Sequence, residues 1–354
     1  MAGNQQIERA RRAVNDARSA ADRESEAAAL LDLGKARAAA GLSVEATAAF
    51  EEAAEAAADV GNRALQAQAT ANAGAMLQQS GQHAEALEQS LVALDAFRAL
   101  GDLPGQLRVL ANCAVIQRAL GDVPAALASV SEAASVGRLA GDRALMPAVL
   151  GLQSELLAAQ GDRDGARAAR QQAVQAARLL DDPANLAQQL EALGELFLTE
   201  SNHDEALPVY FEATNLHKKR RDANSVYRTT LQLGLVYQHR ARWPEALATL
   251  TEAQKMGRQL GDQARDGYIR ASIASALLGL GRFAEAAKEA SGAIEVYRAT
   301  AEPIGLGRSL VTLGQAQEAI GYTAAARASW EEALRLLTPV DAVGAEAVRG
   351  LLGQ

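Results

Sequence analysis
Four histidines and a single cysteine are the residues of this chain best suited to nucleophilic or metal chemistry. His83, His203, His217 and His239 are scattered, and none stands in a His-Glu-x-x-His or comparable ligand spacing. His83 and His203 share one place beside a turn, which reads as ordinary loop placement. Cys113, within ANCAVIQ, takes a position that a core leucine would normally fill, so a small buried hydrophobe is expected there. GLGRF (279–283) and GLGRS (305–309) faintly resemble phosphate loops. Neither follows a predicted strand or carries Gly-Lys-Ser or Gly-Lys-Thr, so neither is read as one. These residues imply no enzyme, no metal site and no cofactor.

The elements that must position any other site are set by a period of forty. Gly41, Gly81, Gly121 and Gly161 keep this spacing, Ser201 and Ala241 hold the next two places, and Gly281 and Gly321 resume it. Halfway between stand Gly61, Gly101, Gly141, Asp181, Arg221, Gly261, Ala301 and Asp341. Each interval of twenty is one helix and its turn, with the glycine in the left-handed conformation and a following Asp or Asn capping the next helix. Pro124 and Pro244 sit just inside helix starts, where a missing N–H is harmless, whereas Pro208 within a second helix predicts a kink. Alanine fills two columns completely, Ala46 to Ala326 and Ala53 to Ala333. They lie seven apart on the second helix of each pair, hence on one face that a neighbour approaches closely. A third small column, Gly34, Gly74, Ala114, Ser154, Gly194, Gly234, Ala274 and Gly314, is its counterpart on the first helix. Large residues such as Phe50, Leu193, Phe197, Tyr210, Leu250 and Trp330 fill the adjacent positions.

The bulk numbers agree. Of 354 residues, 49% are hydrophobic and only 4% aromatic, which suits closely packed helices better than strands. A formal net charge of −8 weighs against general nucleic-acid binding. The charged N-terminus lacks the apolar core of a secretory signal, and no apolar run reaches the length of a membrane span. A cytoplasmic protein without membrane insertion is expected.

The pattern Leu-Gly…Tyr…Ala…Phe…Ala, clearest in LGLVYQHRARWPEALATLTEA (233–253), resembles the tetratricopeptide-repeat family. The forty-residue unit is similar to the longer repeats of spindle-orientation adaptors, kinesin light chains and bacterial signalling proteins. The resemblance implies an all-α, right-handed superhelical solenoid in which first helices line a concave groove and second helices form the outer face. Eight repeats span 22–341; residues 1–21 read as the second helix of an earlier repeat, and 342–354 as a C-terminal cap or the start of a ninth.

Family geometry turns five first-helix columns inward. Repeats two and three then offer Gln68, Asn72, Gln78, Arg108, Asn112 and Arg118 together. An amide carries both donor and acceptor and can pair with a peptide backbone whatever its side chains. The arginines add charge-assisted bonds to carboxylates. In related adaptors an asparagine at the Asn72/Asn112 position holds extended peptides; this chain departs from them by carrying Ala75 and Val115 where their motif has a second asparagine. Glu155, Glu191 and Glu195 then reverse the sign before Arg228, Arg270 and Arg308 restore it, giving a segmented groove. On the outer face Arg98, Arg138, Arg178, Lys218, Arg258 and Arg298 recur near helix ends, where a cation complements the negative terminus and can pair with the Asp opening the next helix. Arg167 and Arg170 stand where leucine and an aromatic are usual, so that helix either packs loosely or offers its arginines to a partner.

The reading is a non-enzymatic scaffold that binds a protein or peptide in the groove. Two alternatives stand beside it: a ligand- or peptide-sensing module of a bacterial signalling protein, and a repeat that self-associates into structure.

Overall fold
Turns, all but two of them left-handed, divide the chain into eighteen helices in this computed structural model, which describes residues 2–353. The first nine are α1 (Ala2–Ser19), α2 (Arg23–Ala39), α3 (Ser43–Asp59), α4 (Arg63–Gln79), α5 (His83–Leu100), α6 (Leu103–Ala119), α7 (Val123–Ala140), α8 (Met146–Ala159) and α9 (Arg163–Arg178). The rest are α10 (Pro183–Thr199), α11 (His203–Arg220), α12 (Ala223–His239), α13 (Trp243–Leu260), α14 (Asp266–Gly279), α15 (Phe283–Thr300), α16 (Pro303–Ala319), α17 (Thr323–Leu337) and α18 (Ala342–Leu352). No strand occurs among the described residues.

The turns work as the forty-residue period predicts. Gly41, Gly81, Gly121 and Gly161 have φ between 77° and 83°, a region closed to most side chains. Asp22, Asp102, Asp122, Asp162 and Asp222 each accept a hydrogen bond from the backbone N–H three residues on, capping the following helix. Two of the predicted places differ. Asp341 is not left-handed (φ −145°); it is itself the cap of α18, accepting from the Gly344 N–H at 3.0 Å. Asp181 likewise is not among the positive-φ residues. Asp142 bonds the Ala144 and Leu145 N–H groups instead of a helical one, which delays α8 to Met146. The helix α11 runs unbroken through Pro208.

Both alanine columns are fully buried, with every member from Ala46 to Ala326 and from Ala53 to Ala333 at 0% exposure. The glycine column opposes them for a steric reason. A Cβ on Gly34 would lie 2.5 Å from the Phe50 ring, and one on Gly194 would lie 2.7 Å from the Tyr210 ring. Glycine thus gives each ring a seat against the first helix, and close packing makes the fit demanding.

The chain packs as two compact units, the first ending at Asp182 and the second beginning at Pro183. The first holds α1 and four helix pairs, the second four pairs and α18. Within the first unit the first helices touch one another, α2 to α4, α4 to α6 and α6 to α8; α12, α14 and α16 do so within the second. Closer approach on one side of a stack places the inner, concave side of each unit on these helices.

Candidate functional site
On the inner side of the first unit, α4 and α6 lie together and present equivalent positions in parallel. Half-buried Ala71, Ala75, Ala111 and Val115 form a shallow strip of small side chains. Beside it stand Gln68, Asn72 and Gln78, all half-buried, and the exposed Arg108. None of these four polar side chains has a hydrogen-bond or ion-pair partner among the described residues. Asn112 donates weakly to the Ser90 hydroxyl at 3.4 Å, which turns its amide toward α5. Arg118 is held by Glu155 at 2.5 Å.

Glu155 also receives Arg170, whose guanidinium lies 3.4 Å from it and donates to the Gly151 carbonyl at 3.0 Å. Arg170 is only 6% exposed. The arginine expected to loosen the fourth repeat, or to serve a partner, is therefore folded inward. Gly151 has no side chain to block its path across α8. Trp330 uses the equivalent carbonyl of Val311 in the same way, at 3.3 Å.

The second unit commits its charges differently. Glu191 is 9% exposed and accepts Arg228 through both oxygens, Oε2 from Nε and Nη2 at 2.9 and 2.7 Å and Oε1 from Nη2 at 3.0 Å. Its Oε1 also lies 2.6 Å from Nε2 of the buried His217, within hydrogen-bond distance. Arg270 bonds Asp266 at 2.8 Å and Glu289 at 3.1 Å, and Arg308 bonds Asp341 at 2.9 Å. Glu195 is exposed and has no partner among the described residues. Near it the buried Tyr210 hydroxyl is unpartnered, and burial, reinforced by the Glu195 and Glu191 charges, pushes that phenol well above its ordinary value.

Outside the grooves two expectations change. Arg98 of the outer cation column pairs with Asp95 and Glu132, not with the Asp102 that opens the next helix. Arg98 and Arg298 reach Glu132 and Glu332, thirty-four residues on, at 2.6 and 2.8 Å; Arg18 reaches Glu52 at 2.7 Å. Long side chains thereby bridge successive second helices. His83 and His203 are not loop residues but the first residues of α5 and α11. His203 also stacks on His239, rings 4.5 Å apart and 3° from parallel. That contact escaped the sequence because the two residues stand in different registers. Burial and the neighbouring His239 lower the His203 pKa.

Cys113 is fully buried, and desolvation pushes its thiol up to about 11. Three glycines of GLGRF and GLGRS serve packing, since a Cβ on Gly279 would meet Trp243 and one on Gly305 Tyr297, each at 2.5 Å, and one on Gly307 would meet Leu337 at 2.7 Å, whereas Gly281 is a left-handed turn residue with φ 73°. Among the described residues no group of three or more His, Cys, Asp or Glu side chains could hold a metal ion. No described helix is long and apolar enough to cross a membrane.

No family model and no curated protein matches this chain. Many solved structures do. A Signal Transduction ATPase with Numerous Domains from Pyrococcus horikoshii, which carries a tetratricopeptide repeat sensor, aligns with a TM-score of 0.65 at 13% identity. That alignment covers 95% of this chain and 53% of the other, so this chain spans about half its length. BtubC from P. vanneervenii aligns at 0.56 and 22% identity over 62% of this chain and 93% of its own. The C-terminal part of a TPR repeat-containing protein from Cytophaga hutchinsonii aligns at 0.55 and 15% identity, covering 78% and 98%. With eighteen helices packed consecutively as helix-turn-helix units, the chain has the tetratricopeptide-repeat fold.

Proposed function
We propose that the chain is a non-enzymatic scaffold that holds an extended segment of another protein against α4 and α6. The observation that carries this reading is the uncommitted row of Gln68, Asn72, Gln78 and Arg108 beside a strip of small side chains. Polar groups that are half-buried and unpaired gain most from a ligand, because they have already lost part of their hydration. The amides suit a peptide backbone and Arg108 suits a carboxylate. Asn112 and Arg118 extend the row, each by exchanging its bond to Ser90 or Glu155. Of the further positions Glu155, Glu191, Glu195, Arg228, Arg270 and Arg308, Glu195 alone has a charge with no partner among the described residues, and would meet a cationic side chain. The net charge of −8 supports a protein partner over nucleic acid, and a cytoplasmic location accompanies that reading.

The test compares affinity capture by the wild type and by a Gln68→Ala, Asn72→Ala, Arg108→Ala triple variant, read by mass spectrometry. Partners retained by the wild type and lost by the variant support the groove. Identical partner sets on both would sink it. The likeness to the tetratricopeptide repeat sensor supports a second reading, in which the same row detects a peptide for an effector domain.

A further inference from the structure
The chain contains one run of four consecutive cations, Lys218, Lys219, Arg220 and Arg221, within a protein of net charge −8. It closes α11 and enters the turn to α12. The preceding His217 faces inward to Glu191, so the run stands outward from it. Only Arg220 has an acidic neighbour, Asp222 at 4.0 Å; Lys218, Lys219 and Arg221 have no ion pair among the described residues.

Beside the run lies a cavity of about 300 Å³, near the small end of the range for ligand sites. Val226, Met256 and Leu260 give it an apolar wall, and Lys218 and Arg221 stand in its lining. Leu260 remains 40% exposed there. The site lies wholly within the second unit, between the ends of α11, the start of α12 and the end of α13.

Arg221 adds an independent sign. Its φ is +58°, at the turn position that Gly61, Gly101, Gly141 and Gly261 fill elsewhere. A side chain is disfavoured in that conformation. Of the five non-glycine residues held there it is the only charged one; the others are Ala21, Ser201, Ala241 and Ala301. A charged residue kept in a disfavoured conformation at the mouth of an apolar cavity is the kind of local strain that accompanies binding sites.

We infer that this cavity is a second docking site, independent of the α4–α6 row, for an acidic peptide segment that inserts one large apolar side chain. The apolar wall takes the anchor, and Lys218 and Arg221 bind flanking carboxylates through charge-assisted hydrogen bonds. A concave pocket of this size favours a side chain over a membrane surface or a nucleic-acid backbone, which would meet only its rim.

The experiment titrates the intact protein into the fluorescein-labelled octapeptide Glu-Asp-Asp-Leu-Phe-Asp-Glu-Glu and follows anisotropy. Saturable binding is expected. It should fall about tenfold in Arg221→Gly and in Lys218→Gln, the loss of one charged contact each. Arg221→Gly relieves the left-handed side chain, so its Tm should equal or exceed the wild type and a folding defect cannot mimic the loss. Replacing Leu-Phe in the peptide by Ser-Gly should weaken binding as strongly, whereas the Gln68→Ala, Asn72→Ala, Arg108→Ala variant should bind like wild type. The proposal is overturned by absence of saturable binding, by an unchanged affinity in Arg221→Gly, or by equal affinity for the Ser-Gly peptide. Binding of phosphatidylserine vesicles or a single-stranded oligonucleotide without binding of the peptide would overturn it too.

Discussion
Arg108 in the first unit and Arg228 and Arg308 in the second occupy one register of the repeat, yet only Arg108 is free. Arg228 reaches back thirty-seven residues to Glu191; the same step from Arg108 arrives at Ala71. Arg308 reaches forward thirty-three residues to Asp341; the same step from Arg108 arrives at Gly141. One helical scaffold thus produces a satisfied ion-pair network in the second unit and an unsatisfied polar row in the first. The residues that decide between these states are the neighbours at both reaches, not the arginine. A register that carries arginine in several repeats need not be a binding position in each of them.

The largest expected effect is at Glu191. Glu191→Ala leaves the buried His217 without its hydrogen-bond partner and Arg228 unpaired, which should destabilise the second unit by about 3 kcal/mol. The chain supplies separate reporters, since both tryptophans, Trp243 and Trp330, lie in the second unit and Cys113 lies in the first. Urea unfolding followed by tryptophan fluorescence should shift to lower denaturant. Thiol labelling of Cys113 should remain as slow as in wild type, since burial protects that side chain. An unmoved tryptophan transition would show that the Glu191 cluster contributes nothing net.

A smaller difference is expected in the glycine column. Gly194→Ala drives a methyl group to 2.7 Å from the Tyr210 ring and should destabilise by about 2 kcal/mol. Gly74→Ala meets the Ser90 hydroxyl at 3.0 Å and the Ala86 carbonyl at 3.3 Å, milder contacts that are offset by a gain in helix propensity of up to about 1 kcal/mol. It should be near neutral in a thermal melt, and equal losses at both sites would mean that the column is set by backbone approach alone. Smaller still is Arg308→Ala, whose own side chain is exposed although its partner Asp341 is largely buried; removing that pair should change stability by less than about 1 kcal/mol, and the change should shrink in high salt.

The fold was legible because each of its devices is local. Glycine at the left-handed turn, aspartate three residues before the N–H it caps, and alanine where helices touch all follow from spacing along the chain. The polar row was legible as columns, and Gln68, Asn72, Gln78 and Arg108 lie on α4 and α6. Which members were already spoken for was not legible, because a long side chain chooses its partner across neighbouring helices. Arg170 turns inward to the Gly151 carbonyl on the neighbouring helix, and Arg118 is held by Glu155 on the next first helix. One cross-helix signal was present and unused: Arg18, Arg98 and Arg298 each have a glutamate thirty-four residues later. The His203–His239 stack had no such signal.

The sharpest test of the comparison converts one unit into the other. Ala71→Glu places a carboxylate thirty-seven residues before Arg108, the arrangement that captures Arg228. Ala71 is half-buried on the inner side of α4, and the new pair has no buried histidine behind it, so stability should change by less than about 1 kcal/mol. Partner capture should nevertheless fall as far as in Arg108→Ala, because the guanidinium would now be engaged. Reversing the charges as Ala71→Arg with Arg108→Glu would rebuild the pair and leave capture low. If Ala71→Glu left capture intact, the carboxylate of the ligand would have to be met elsewhere, and Arg108 would lose its place at the centre of the row. If capture fell in Ala71→Glu and remained in Ala71→Gln, loss of a free charge would be the cause, since the two substitutions fill nearly the same volume.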